Sequence, residues 1–108
     1  MINESYEVVY TAEAEQDLRN IYEYIAFHLL NTEAAKNQTN RIVNAIKKLN
    51  TMFLRYKLYD KEPWNSMGLR MLSVDNYLVF YQPVHENALV AIIRIMYGSR
   101  NIEYELKQ

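Results

Sequence analysis

Hydrophobic residues recur along this chain with two periods, and the change of period divides it into elements. Residues 5–10, SYEVVY, read as a short strand, with Val8 and Tyr10 on one face and Val9 on the other. Thr11 then has the character of a helix N-cap, and Glu13, Glu15 and Asp17 crowd the positive end of the helix dipole. From about 12 to 30, Leu18, Ile21, Tyr22, Ile25, Ala26 and Leu29 fall at i, i+3, i+4, i+7 spacing, which predicts one amphipathic helix. Asn31 and Thr32 interrupt the stripe, with Thr32 as the expected cap of the next helix. From about 33 to 54, Ala35, Thr39, Ile42, Ile46, Leu49 and Phe53 repeat at steps of four and three, which predicts that second helix. So short a break between two helices makes an antiparallel hairpin.

Residues 56–67 show no period, contain Pro63 and read as a loop. Strands are expected at 68–74, 77–83 and 88–97, joined by turns at Asp75–Asn76 and His85–Asn87, with a short helical turn at 101–106. The order predicts an α+β fold, β-α-α-β-β-β. A four-stranded, mostly antiparallel sheet carries the helical hairpin on one face, and a short C-terminal helical turn completes the chain. The last strand is apolar on both parities, which suits a central position. Leu89, Ala91, Ile93 and Ile95 are expected to face the helices. Val90, Ile92, Arg94 and Met96 then point to an opposite, partly open face, which Arg70 joins.

A length of 108 residues fits one domain spanning 1–108. The absence of cysteine excludes a disulfide framework and thiolate metal sites. The opening MINESYEVVY has no basic leader before an apolar core, and runs such as 88–93 fall far short of the roughly 20 residues that cross a bilayer. A cytoplasmic location is therefore expected. Net charge is −1, yet it is unevenly spread. Residues 1–40 hold seven acids and two bases, whereas residues 41–70 hold seven bases and two acids. The middle block hints at a polyanionic or acidic partner, or is a solvated face with bases near a helix C-terminus.

Candidate chemistry is sparse. Gly68 and Gly98 are the only glycines, so no phosphate loop exists. His28 and His85 have no metal-ligand spacing, and neither metal nor cofactor is expected. Glu13, Glu15, Asp17 and Glu23 read as solvated helix charges. Trp64 is either a plug at the core edge or a binding anchor. An RNA-cleaving site needs a base for the 2′-hydroxyl, cations for the phosphorane and an acid for the leaving group. Arg94, Arg100, Tyr97 and Tyr104 supply part of that set, and no residue stands out as the base.

Three stretches carry a family resemblance: YEVVYTAEAEQDLRNIYEYI, RMLSVDNYLVFYQPV and IRIMYGSRN. In this order, over about residues 5–106, the chain resembles the RelE/ParE superfamily of bacterial toxins from type II toxin–antitoxin modules. The resemblance implies a small toxin held inactive by a cognate antitoxin, whose partly disordered C-terminal segment wraps around it. The face assigned to Ile92 and Arg94, together with the basic block, suits such a partner, and Arg70, Tyr97, Arg100 and Trp64 complete the candidate binding residues. RelE-like members cut mRNA in the ribosomal A site through a basic patch on the sheet. Aligned through Tyr81, one arginine of that patch falls on Leu78, and its paired lysines fall near Leu69–Met71, where only Arg70 is basic. Arg100 matches a family arginine, and Tyr104 approximates the late tyrosine. ParE-like members, associated with plasmid stabilisation, inhibit DNA gyrase and lack that cluster. The resemblance therefore implies a non-enzymatic, gyrase-directed growth inhibitor that reaches operator DNA only through its antitoxin. Two alternatives stay open: a ribosome-dependent endoribonuclease using Arg70, Arg94, Arg100 and Tyr104, and a degenerate antitoxin-binding protein without toxicity.

Overall fold

A computed structural model describes residues 5–107. The chain begins with β1 (Glu7–Tyr10), then α1 (Ala12–Glu23), which widens into a π-helical turn at Tyr24–His28. The rest of the hairpin is α2 (Thr32–Lys47), followed by the single turn α3 (Leu49–Met52). A second single turn, α4 (Trp64–Met67), precedes β2 (Arg70–Val74), β3 (Tyr77–Val84) and β4 (Leu89–Tyr97), and α5 (Ile102–Leu106) comes last. The sheet order is β1-β4-β3-β2, with β1 parallel to β4 and the other pairs antiparallel. This is the α+β arrangement that the hydrophobic pattern predicts, with a mixed sheet in which β4 lies between β1 and β3.

Local chemistry explains the boundaries. Thr11 caps α1 as expected, its hydroxyl accepting from the Ala14 N–H at 3.0 Å. The cap of α2 is Asn31 rather than Thr32: the Asn31 amide oxygen accepts from the Ala34 N–H at 3.0 Å, and Thr32 becomes the first helical residue. Asparagine reaches that N–H as well as threonine does, and it stands one position closer to the turn. Leu30, between the two helices, has φ +55° with a side chain 85% exposed. A β-carbon is unfavourable in that left-handed region, and here no burial offsets it. Leu30→Gly is expected to stabilise the chain by about 1 kcal/mol, read from urea unfolding.

The hairpin buries Ala14, Ile42, Ile46, Leu49 and Phe53 against Leu72, Val79, Tyr81, Val90, Ile92 and Ile95. Val90 and Ile92 correct the expected alternation of the final strand, whereas Ile95 faces the helices as expected. Tyr81 pairs with Ile92 and Phe80 with Arg94, so Ile93 has no partner on β3. This bulge shifts the parity by one residue. Val90 and Ile92 therefore face the helices before it, and Ile95 does so after it. Ile92 is fully buried under the hairpin and lies on no open face.

The opposite face is not open either. Phe80, Met96, Leu69 and Tyr59 form a second core there, flanked by Trp64, Met71, Leu78, Ile93, Ile102 and Leu106. Trp64 meets Tyr59 edge-on at 6.0 Å, which is the core-plug role rather than the anchor role. The segment 57–67, with α4 and α5, thus roofs what the alternation left bare.

Tyr81 carries the hairpin-side core with one polar atom, its hydroxyl donating to the Phe53 carbonyl at 3.1 Å. Burial pushes the Tyr81 phenol up to about 12. A phenol raised above its unfolded value of 10.0 contributes stability that is fully present below pH 10 and is lost as pH rises towards 12. Tyr59, raised by burial and then by Glu103, adds to the same alkaline loss. Tyr81→Phe is expected to lower stability by about 1–2 kcal/mol at neutral pH and to flatten the alkaline limb of a stability–pH curve.

Candidate functional site

Strand β1 stops at Tyr10, opposite Ile92, so the second half of β4 has one edge without a neighbouring strand. Helix α1 closes that edge. The Thr11 N–H donates to the Ile92 carbonyl at 3.0 Å, and the Thr11 hydroxyl donates to the Ile93 carbonyl at 3.0 Å. Farther along α1, Asp17 accepts the Ile95 N–H at 2.9 Å. Asp17 also holds Arg94 bidentately, with Oδ2 accepting from Nε at 2.7 Å and Oδ1 from Nη2 at 3.0 Å. From the other side, Arg94 Nη1 donates to the Glu105 carbonyl at 2.7 Å, and Nη2 lies 3.5 Å from Glu105 Oε1. Arg94 thus ties α1, β4 and α5 together across the sheet edge.

The Arg94 and Asp17 side chains are only 14% and 12% exposed. The Asp17 hydrogen bonds outweigh burial and hold the Arg94 guanidinium above its ordinary pKa. Asp17 is therefore not the solvated helix charge that its residue type suggests. It lies three residues after the buried Ala14 and one before the half-buried Leu18, on the inward side of α1. That placement was the available signal.

Helix α5 is also fixed at its N-terminal end. Asn101 caps it by accepting from the Tyr104 N–H at 3.3 Å. The Tyr59 hydroxyl donates to the Glu103 carboxylate from beneath. Tyr104 sits on the exposed side of the helix. Arg100, whose side chain is 62% exposed, lies 3.8 Å from Glu105 Oε2.

Beyond this clamp, a cleft of about 1220 Å³ opens between the helical hairpin and the end of the sheet. Tyr24 and His28, stacked at 5.4 Å, form one wall, and Tyr77 and Tyr97, edge-to-face at 5.5 Å, form the other. Arg41, Arg94 and Arg100 all line it, and each faces a carboxylate. Arg41 Nε donates to Asp75 Oδ2 at 2.8 Å, and Gln38 donates to the same oxygen. These two bonds, Arg41 first, hold the Asp75 carboxyl below its usual range.

The sequence-derived cations converge only in part: Arg94 and Arg100 line one cleft beside Tyr97, whereas Arg70 lies apart. Arg70 pairs across the sheet with Tyr81, which faces the hairpin, whereas Arg94 pairs with Phe80, which faces the second core. The two arginines therefore leave opposite faces, and Arg70 does not join the face of Arg94. Arg70 Nη1 instead donates to the Tyr56 carbonyl at 2.6 Å, holding the turn after α3. Of the four candidate nuclease residues, only Arg100 and Tyr104 are left exposed. The cleft offers aromatic faces, amides and neutralised charges. That chemistry suits recognition of a polypeptide surface better than stabilisation of a phosphorane. Among the described residues, no three histidines, cysteines or carboxylates lie close enough to hold a metal ion, and no helix is long and apolar enough to cross a membrane.

Comparisons with known proteins bear on this arrangement. A family profile described as "ParE toxin of type II toxin-antitoxin system, parDE" matches residues 8–102. No curated protein sequence matches the chain. Among solved structures, a chain of a chromosomal ParDE system from P. aeruginosa superposes with a TM-score of 0.71 at 22% identity, covering 87% of this chain and 97% of that one. A chain of the RelBE2 toxin–antitoxin complex from Mycobacterium tuberculosis gives 0.59 at 23% identity, covering 86% and 98%. A mutant of the E. coli toxin RelE in the free state gives 0.63 at 12% identity, covering 94% and 92%. At these identities the structural likeness speaks to the fold alone.

Proposed function

The chain belongs to the ParE toxin family of type II toxin–antitoxin systems, and from that premise we propose that it arrests growth by docking onto DNA gyrase and is neutralised by a cognate antitoxin. One observation carries the choice of target. Of the cations that a phosphodiester-cleaving site would need, Arg70 lies on the other face of the sheet, and the most buried, Arg94, is held by Asp17 and Glu105 in the cleft that it shares with Arg100. With four of its five N–H donors directed at Asp17 and Glu105, the Arg94 guanidinium is poorly placed to follow charge developing on a phosphorane. The cytoplasm is the compartment in which such a toxin acts.

A ribosome-directed nuclease is the second reading. What favours it is Arg100, exposed at the cleft beside Tyr97. Brief induction of the chain alone in bacteria separates the readings. Gyrase poisoning predicts early arrest of DNA synthesis with a DNA-damage response while translation continues. Immediate collapse of protein synthesis with mRNA cut at codon boundaries would overturn the proposal. Normal growth would overturn it too, and would mark a chain that binds its antitoxin and does nothing more.

A further inference from the structure

Helix α1 presents a second row of residues outside the cleft. Leu18, Tyr22 and Phe27 line a shallow groove of about 690 Å³, with Val43 of α2 on its far side. Three exposed charges of α1, Glu15, Arg19 and Glu23, line it too, and of these residues only Glu23 is shared with the cleft.

The π-helical turn sets the spacing of that row. From Tyr22, a regular α-helix brings residue 26 next into line, yet Ala26 is turned inward and only 5% exposed. The Leu29 N–H donates to the Tyr24 carbonyl, five residues back, at 3.2 Å. This wider turn lets Phe27 follow Tyr22 into the groove, where it ends the row 66% exposed. Such an insertion interrupts the regular helix ladder and recurs at functional sites. Here it delivers an aromatic ring to solvent rather than to the core.

The charges beside the row are spaced for pairing and stay unpaired. Glu15, Arg19 and Glu23 stand four residues apart, where ion pairs form along a helix. Among the described residues none of the three has an ion-pair partner, and Arg19 donates instead to Gln16 Oε1 at 2.9 Å. A uniformly acidic or basic segment would meet a like charge on this surface. A second, antiparallel copy of α1 meets Arg19 with Glu23 and Glu23 with Arg19.

We propose that the groove is a self-docking surface, on which two copies of the chain associate about a twofold axis near Tyr22. Phe27 of each copy covers the partner's Leu18, and Arg19 pairs with the partner's Glu23. One helix row per copy falls below the roughly 800 Å² per partner of a standard interface, so the association is weak, with a Kd of about 10–100 µM. The inference does not depend on gyrase being the target.

Sedimentation velocity of the purified full chain over about 1–300 µM tests it, and a mass rising towards that of a dimer is expected. Arg19→Glu and Glu23→Arg, each alone, should weaken self-association by about tenfold or more, because both symmetric contacts become repulsive. An equimolar mixture of these two variants should associate as well as the parent, since the mixed dimer sets opposite charges at both contacts. Phe27→Ala removes an anchor twice per dimer and should weaken association by about thirtyfold. Met67→Ser is a control 55% exposed on α4, across the sheet, and should behave as the parent. A chain that stays monomeric throughout would overturn the proposal, as would Phe27→Ala associating like the parent. Single charge variants that fail to associate when mixed would overturn it too, and would assign the groove to a different protein. Circular dichroism of each variant confirms that losses of association are not losses of fold.

Discussion

Replacing Asp17 with alanine is expected to lower the unfolding free energy by about 3–5 kcal/mol, enough to leave a domain of this size marginal or unfolded. The substitution removes no large apolar group, so the effect is electrostatic. It strips the bidentate partner from Arg94 and orphans the Ile95 N–H at a sheet edge with no neighbouring strand. A mostly buried guanidinium and a backbone donor are then left unsatisfied together. A melting temperature lower by more than about 10 °C should accompany the loss. The paired substitution Asp17→Leu with Arg94→Met should recover part of the stability, because no charge is then buried alone, while the Ile95 N–H still lacks its acceptor. If Asp17→Ala is instead nearly neutral in urea unfolding, Arg94 is free to serve a ligand, and the structural role assigned to it is wrong.

Phe80→Ala is the second large effect, with an expected loss of about 3–5 kcal/mol. Phe80 is fully buried on the sheet face away from the hairpin and meets Tyr59 edge-on at 5.6 Å. Its removal takes away the floor on which Tyr59 and α5 rest, and the Tyr59–Glu103 hydrogen bond loses its backing. Were this face open, as the alternation along the last strand suggests, the same substitution would cost under about 1 kcal/mol. Chemical denaturation of the purified variant separates the two values clearly.

The contrast shows what could be read from residues alone. The helical stripe through Ala35, Ile42, Ile46, Leu49 and Phe53 specified the packed face of α2 and α3, because a period of 3.6 tolerates no other assignment. Thr11 as a cap and Asp75–Asn76 as a two-residue turn were equally legible, since each depends on local geometry. The last strand was not. Its residues are apolar on both parities, so nothing in the run LVAIIRIM marks the bulge at Ile93. One unmarked residue moved Ile92 from an expected docking face into the core. The covering of the opposite face rests on long-range contacts of Tyr59, Trp64, Ile102 and Leu106, which meet only once the chain has folded.

The candidate site was half legible for the same reason. Arg94, Arg100 and Tyr97 do gather near the end of β4, as their spacing suggests. Their carboxylate partners come from elsewhere in the chain: Asp17 is 77 residues from Arg94, and Glu105 is 11 residues away. Residue type alone gave Asp17 the reading of a surface charge. The ion pair that holds Arg94 is a property of the tertiary structure, and it agrees with the docking reading that the sequence resemblance already implied.

The most direct measurement exposes two purified reactions to the same preparation of the full chain. One is supercoiling of a relaxed plasmid by gyrase; the other is cleavage of a defined message on programmed ribosomes. Guanidinium groups bound by Asp17 and Glu105 predict that supercoiling is blocked in proportion to toxin while the message stays intact. A message cut within the ribosome, beside a gyrase that runs undisturbed, would contradict the account at its root.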